Sequence, residues 1–280
     1  MTTKTIRADM LDEFELQLKN EERSAATIEK YMRDVRQFAQ FIADGDVCKQ
    51  SVSAYKSKLG DSYAVTSANS MIAALNRFLR FCGWSDLCVR QFRVQRQPYC
   101  SEEKELTRAE YFRLIDTAEK KQNQRLSLII QTICSTGIRV SELCYITVEA
   151  LQKGEAVVNC KGKVRRIFLV LALKKKLLRY VKEQNIKSGA VFITQNRNPI
   201  SRNRIWKEMK SLCEAAKVAP SKVFPHNLRH LFARVFYALE KDIAKLADIL
   251  GHASINTTRI YIVTTGSEHK KRMERMHLIL

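Results

Sequence analysis

Apolar residues recur at spacings of three and four along most of the chain, and that spacing predicts helices. Residues 8–20 (ADMLDEFELQLKN) place Met10, Leu11, Phe14 and Leu18 on one face. Ser24 stands where an N-cap belongs for a longer helix through Ile42, with Ile28, Tyr31, Met32, Val35, Phe38, Ala39 and Ile42 as its inner stripe. Gly45, between Asp44 and Asp46, breaks it. A third helix is predicted over about 49–59 and a fourth over about 65–82, where Met71, Ile72, Leu75, Phe78 and Leu79 face inward. Four such helices make a small bundle, so residues 1–89 read as one helical domain.

Residues 90–104 (RQFRVQRQPYCSEEK) lose this periodicity and contain Pro98, which predicts an extended basic linker. Arg93 and Arg96 could lie there along a phosphate backbone. A second domain, 105–280, begins with a helix capped by Thr107 and running to about 119, followed by a buried apolar helix over 124–136. Ser141 starts another short helix. AVVNC (156–160), a Lys-Gly-Lys turn and RRIFLV (165–170) predict a β-hairpin, and AVFIT (190–194) a third strand. Helices are predicted at 171–184, about 201–216, 226–238, 241–250 and 255–262, before a charged and then apolar tail at about 266–280. The fold class is therefore mainly α, with a small antiparallel sheet in the C-terminal domain.

Composition narrows what such a protein can do. The chain has 280 residues with 49 Lys plus Arg against 29 Asp plus Glu, a formal net charge of +20. Residues 1–100 carry a net +3 and residues 101–280 a net +17. An excess of this size favours a polyanionic partner, DNA or RNA first, because each neutralised phosphate releases counterions. A ribosome-associated or membrane-surface protein is the plainer alternative. No apolar run approaches the roughly 20 residues that cross a bilayer. The N-terminus has acids where a secretory signal would have its apolar core, so a cytoplasmic location is expected. Eight cysteines form no C-x-x-C pair and no Cys/His ladder, which predicts reduced thiols and no structural metal.

Several polar residues invite chemistry, each weakly when taken alone. Gly137 suits the end of the 124–136 helix, and Arg139 follows it. Lys161 and Lys163 crown the hairpin, where lysines often serve only solubility. His226 and Arg229, three apart on a helix opened by Pro225, share one face at a positive helix end, an anion site in the making. A His capping a surface helix would look the same. Gly251-His252 ends the next helix, and Tyr261 follows nine residues later.

Their order is more telling than any single member. TGIRVSEL, then CKGK before a strand, then HNLRH, then LGHASINTTRIY resemble the motifs of the tyrosine recombinases, the lambda-integrase-like and Xer-like site-specific recombinases. The resemblance covers essentially the whole chain, since the N-terminal bundle is similar to that family's SAM-like core-binding, DNA-clamping domain. It puts the family's catalytic arginines on Arg139 and Arg229, its lysine on Lys161, its histidine positions on His226 and His252, and its nucleophile on Tyr261. Beside them, Glu142 is expected to orient Arg139, and His230 to brace its helix. Lys163, Arg165, Arg202 and Arg204 are further candidates for the DNA backbone. Where the family often has Gly-Lys-Gly, Cys160 replaces the first glycine, which leaves Lys163 as a competitor to Lys161.

The chemistry implied by the resemblance fits these residue types. A phosphodiester under in-line attack develops charge on its non-bridging oxygens, which two forked guanidiniums can clamp. His252 can add a hydrogen bond to them. A phenol ionises only near pH 10, about, so Tyr261 needs help in losing its proton, and His226 is placed to give it. Lys161 would protonate the leaving 5′-oxygen. The product is a 3′-phosphotyrosyl enzyme, formed with no metal and no cofactor. The implied partner is double-stranded DNA bearing a core site, bound by a homo- or hetero-tetramer on paired sites. Met276, Leu278, Ile279 and Leu280 of the tail would dock on a neighbouring protomer, or else pack on their own domain. A type IB topoisomerase and a DNA-binding relative without catalysis remain the competing readings.

Overall fold

The computed structural model describes residues 4–43, 45–94, 104–160, 163–262 and 273–276, without the side chains of Cys160 and Lys163. Two compact units divide the chain, Met1–Arg96 and Gln97–Leu280.

In the first unit the predicted helices form as α1 (Ala8–Asn20), α2 (Ala25–Ile42), α3 (Lys49–Ser62) and α4 (Val65–Phe81). Their inward stripes meet as foreseen: Phe14, Leu18, Met32, Val35 and Phe78 are buried together, with Phe14 edge-on to Phe78 at 5.3 Å between ring centres. Ser24 precedes α2, but its hydroxyl bonds to Thr27 Oγ1 at 2.8 Å rather than capping a backbone N–H.

The segment expected to leave the bundle as a linker at residue 90 stays on it through Phe92. Two asparagines of α4, seven residues and thus two turns apart, hold it as a neighbouring strand would. Asn76 accepts from Val89 N at 3.0 Å and donates to Val89 O at 2.8 Å. Asn69 does the same for Phe92 at 2.7 and 2.9 Å. The Phe92 ring lies against Gly60, where a β-carbon would approach it to 2.9 Å. Arg93 is exposed, and Arg96 lies outside the described residues.

The second unit is built on α5 (Arg108–Lys120) and α6 (Gln124–Thr136), with α6 at its centre. Thr107 and Glu110 cap α5 reciprocally, Thr107 N donating at 2.7 Å and Glu110 N at 3.2 Å. A 3₁₀ helix, Val140–Tyr145, occupies the place predicted from Ser141. The short helix α7 (Val148–Lys153), which the apolar pattern did not reveal, then leads into β1 (Glu155–Cys160) and β2 (Lys163–Phe168). These two strands pair antiparallel from Glu155 opposite Phe168 to Cys160 opposite Lys163.

The third strand does not form. Residues 190–194 make only isolated bridges, Thr147 with Ala190 and Ile193 with Pro199, because their flanks pair with different segments. Val191 and Phe192 are buried all the same, so their apolar character reflects the core. After α8 (Leu171–Glu183), α9 spans Arg202–Lys210 and gives way to turns short of the expected end near 216. The last helices are α10 (Pro225–Glu240), α11 (Ile243–Leu250) and α12 (Ile255–Ile262), with α10 packed on α6, α11 and α12. Of the tail, Met273–Met276 are described and exposed, while Leu278, Ile279 and Leu280 lie outside the described residues. Among the described residues no helix is long and apolar enough to cross a membrane.

Candidate active site

Two glycines in the left-handed region set the corners of the site. Helix α6 ends at Gly137 with φ +63°, where a β-carbon would meet the Phe232 ring at 2.5 Å and Leu250 at 2.9 Å. The turn delivers Arg139 to the start of the 3₁₀ helix. Three residues on, Glu142 reaches back: its carboxylate accepts from Arg139 N at 2.9 Å and from Arg139 Nη1 at 2.9 Å. Helix α11 ends at Gly251, also at φ +63°, and His252 follows at once.

Helix α10 brings the next group. Pro225 opens it, as suits a residue without an N–H, and His226, Arg229 and His230 follow on its first turns. Arg229 is only 1% exposed, yet it is charged and answered on every outer nitrogen. Its Nη1 donates to Gly137 O, and its Nη2 to Leu250 O at 2.7 Å and to His252 Nε2 at 2.9 Å. Burial first, then the nearby Arg139 charge, pushes the guanidinium down to about 10, still charged at neutral pH.

That contact decides the state of His252. A guanidinium can only donate, so His252 Nε2 accepts and the ring proton sits on Nδ1. Nδ1 then donates to Thr258 Oγ1 at 2.9 Å on α12. Held this way, His252 offers no N–H to a phosphate; giving one requires the ring to exchange its proton or its partner. Thr258, fully buried, carries no sequence signal for this part.

Tyr261 stands on α12 one turn beyond Thr258. Its hydroxyl lies 3.2 Å from His226 Nε2, and its ring stacks on His230 at 4.2 Å. The side chain is 6% exposed. Beside Arg139 opens a cleft of about 770 Å³, lined by Arg139, Glu142, Arg165, Asp248, Gly251 and His252 among others. The Arg139 side chain is the accessible one of the pair, at 38% exposure.

All three histidines are held neutral. Burial, then Arg229 and Arg139, lowers His226. Burial followed by Arg229, Arg139, Arg165 and His226 takes His252 down to about 4, and burial with His226, Arg234 and Arg229 takes His230 to about 4. An unfolded chain binds protons on these rings below about pH 6.5, whereas in the folded chain His230 and His252 refuse them until about pH 4 and His226 takes its proton only below the usual range. Stability is therefore full above that window and falls as pH drops through it. Urea midpoints should be lower at pH 5 than at pH 7, and His230→Phe, which keeps a stacked ring but cannot protonate, should narrow the difference. Equal midpoints at the two pH values would contradict neutral histidines.

Five of the six residues on which the motifs converge thus lie in one network of α6, α10, α11 and α12. Lys161 lies outside the described residues, and of Lys163 only the strand backbone is described. Two of the DNA-backbone candidates have acidic partners of their own. Arg165, 11% exposed, points inward and pairs with Glu142, so it is no free phosphate ligand. Strand alternation gave the signal: Arg165 sits opposite buried Val158 and two residues before buried Ile167. Arg204 is half exposed but paired with Glu208 at 2.9 Å. Arg202 is exposed.

A helical bundle followed by a helical unit with a small hairpin and an Arg-His-Arg-His-Tyr cluster is the arrangement that the resemblance to the tyrosine recombinases implies. Residues 104–267 match the phage integrase family and residues 11–85 its N-terminal SAM-like domain, so the chain belongs to the phage integrase family. Tyrosine recombinase XerA of Pyrococcus furiosus is 30% identical over 288 residues, covering 100% of this chain and 98% of the relative. Tyrosine recombinase XerD of Oceanobacillus iheyensis is 26% identical, covering 90% and 92%. Among solved structures, XerA recombinase superposes with a TM-score of 0.56 at 25% identity, over 97% of this chain and 99% of that one. A lambda integrase dimer bound to a COC′ core site shares the fold, with a TM-score of 0.75 at 18% identity over 91% and 95%.

Proposed function

We propose that this chain is a cytoplasmic site-specific DNA recombinase that exchanges strands between two core sites through a 3′-phosphotyrosyl intermediate. The observation that carries the chemistry is the Tyr261 hydroxyl 3.2 Å from a neutral His226 Nε2, within a cluster that also holds two arginines. Tyr261 Oη bonds to phosphorus as its proton passes to His226, and the P–O5′ bond breaks. Lys161 gives the 5′-oxygen its proton. Arg139 and Arg229 hold the non-bridging oxygens as charge builds on them.

Arg229 is engaged by protein acceptors and Tyr261 is covered, so a bound phosphate must draw both toward the Arg139 cleft. Rejoining reverses the steps with a 5′-hydroxyl from a second duplex, which makes exchange possible without an outside energy source. Solved relatives of the same fold include a lambda integrase tetramer on a Holliday junction and XerH in a post-cleavage complex with its difH substrate. The lambda integrase tetramer supports a tetramer of this chain on paired sites, in which the tail at 266–280 would dock between protomers.

A library of nicked chromosomal fragments from the host, incubated with the full chain in EDTA, tests this directly. The expected result is a detergent-resistant adduct whose peptide maps to Tyr261 and whose DNA shares one core sequence. Two labelled duplexes of that sequence should then exchange strands. No adduct from any fragment would defeat the recombinase reading, and cleavage and religation without exchange would favour the topoisomerase alternative.

A further inference from the structure

Three successive carbonyls close helix α11, and each accepts from a different arginine. Ile249 O takes Arg165 Nη1 at 2.8 Å, Leu250 O takes Arg229 Nη2 at 2.7 Å, and Gly251 O takes Arg139 Nη2 at 3.4 Å. A helix C-terminus offers unpaired carbonyls and the negative end of the dipole, so it suits a cluster of cations. Two of these arginines belong to the phosphate clamp. The third comes from strand β2, and neither motif nor mechanism has used it.

Arg165 is tied on both outer nitrogens. Nη2 donates to Glu142, the carboxylate that also holds the backbone N–H and the guanidinium of Arg139. Nη1 holds the end of α11. The side-chain stem fills the space over Gly251, where a β-carbon would come within 2.6 Å of Arg165 Cδ. One side chain therefore links β2, the 3₁₀ helix that carries Arg139, and the corner that presents His252. Burial would raise the Glu142 carboxyl, but the Arg139 N–H and the Arg165 and Arg139 charges outweigh it and hold it below the usual range.

We propose that Arg165 is a positioning residue, which fixes Arg139 through Glu142 and the His252 corner through the end of α11, and which does not bind DNA. This rests on the recombinase reading. Without Arg165, Glu142 keeps one cation where it had two and Ile249 O loses its donor. Arg139 is then free to leave the geometry that a forked clamp requires. A lysine keeps the charge but cannot fork to both acceptors, so it should restore the site only in part.

The test uses the full chain and the core duplex recovered from the wild-type selection. Arg165→Met should lower the single-turnover rate of adduct formation at saturating duplex by about 30-fold or more, the scale of a small misplacement of a catalytic group. Duplex affinity and its salt dependence should stay unchanged. Arg165→Lys should fall between Met and wild type. Combining Arg165→Met with Glu142→Gln should slow cleavage no further than the slower single variant, because both act through one contact. Circular dichroism and urea melts on each variant separate loss of fold from loss of rate.

Arg165→Met that binds more weakly, with the salt slope reduced by about 1 and the saturated rate intact, would make Arg165 a phosphate contact and overturn the proposal. So would additive losses in the double variant. A wild-type chain that forms no adduct overturns the recombinase reading and this proposal together, whereas wild-type cleavage with Arg165→Met unaffected overturns this proposal alone.

Discussion

Tyr261→Phe should form no covalent adduct with the core duplex at any enzyme concentration, while still binding it. The substitution removes one oxygen and leaves the ring. That ring supplies the packing: it stacks on His230 at 4.2 Å and lies tilted 5.1 Å from His252. The lost hydroxyl bonds to His226 Nε2 and also interacts with the Arg229 guanidinium. Stability should therefore fall by about 1–3 kcal/mol, the range for losing hydrogen bonds to neutral and charged partners. Binding to duplex draws on the large basic excess of the chain and should hold within about threefold. The measurements are a denaturing gel for the adduct, a mobility shift for binding and a thermal melt. An adduct that persists would mean the nucleophile is another residue.

The second large effect concerns Arg229. It is buried and charged at once, an arrangement tolerated only because every outer nitrogen has an acceptor. Arg229→Met leaves Gly137 O and Leu250 O without that donor, and buried groups so orphaned cost about 1–3 kcal/mol each. A loss of about 2–4 kcal/mol in urea unfolding is expected on that scale. His252 also loses the donor that fixes its tautomer, so the cleavage rate should fall by more than about 10³, the upper scale for losing one oxyanion donor. Arg229→Lys should recover part of the stability, since an ammonium can still serve one acceptor. It should recover little of the rate, since it cannot fork across a phosphate. Cleavage by Arg229→Lys within tenfold of wild type would remove the bidentate role from Arg229.

The members of the candidate site were legible from the sequence. Tyr261, Arg229, His226, His252 and Arg139 each sit in a short motif, and a motif needs only its neighbours to be read. The helices of the first unit were legible for a similar reason: the three-and-four spacing of Phe14 with Leu18, or of Leu75 with Leu79, lies inside one element. The two paired strands were legible in their β-prone runs. Where the apolar run was short the pattern misled, as at 190–194, because a buried loop and a buried strand share the same composition.

The sequence by itself determined the two-part helical plan, the small hairpin and the types of group available for chemistry. Only the tertiary structure decided which of them are free to act. It turned Arg165 from a surface cation into an inward-facing tie, gave Arg229 a carbonyl cradle, and fixed the His252 proton on Nδ1 through Arg229. It also kept residues 89–92 on the bundle through Asn69 and Asn76. The physical reason is the range of these contacts. Arg165 and Ile249 are 84 residues apart, and Arg139 and Gly251 are 112 apart. Periodicity records which face of an element is apolar. It leaves no mark of the carbonyl that a particular guanidinium will meet once the elements pack.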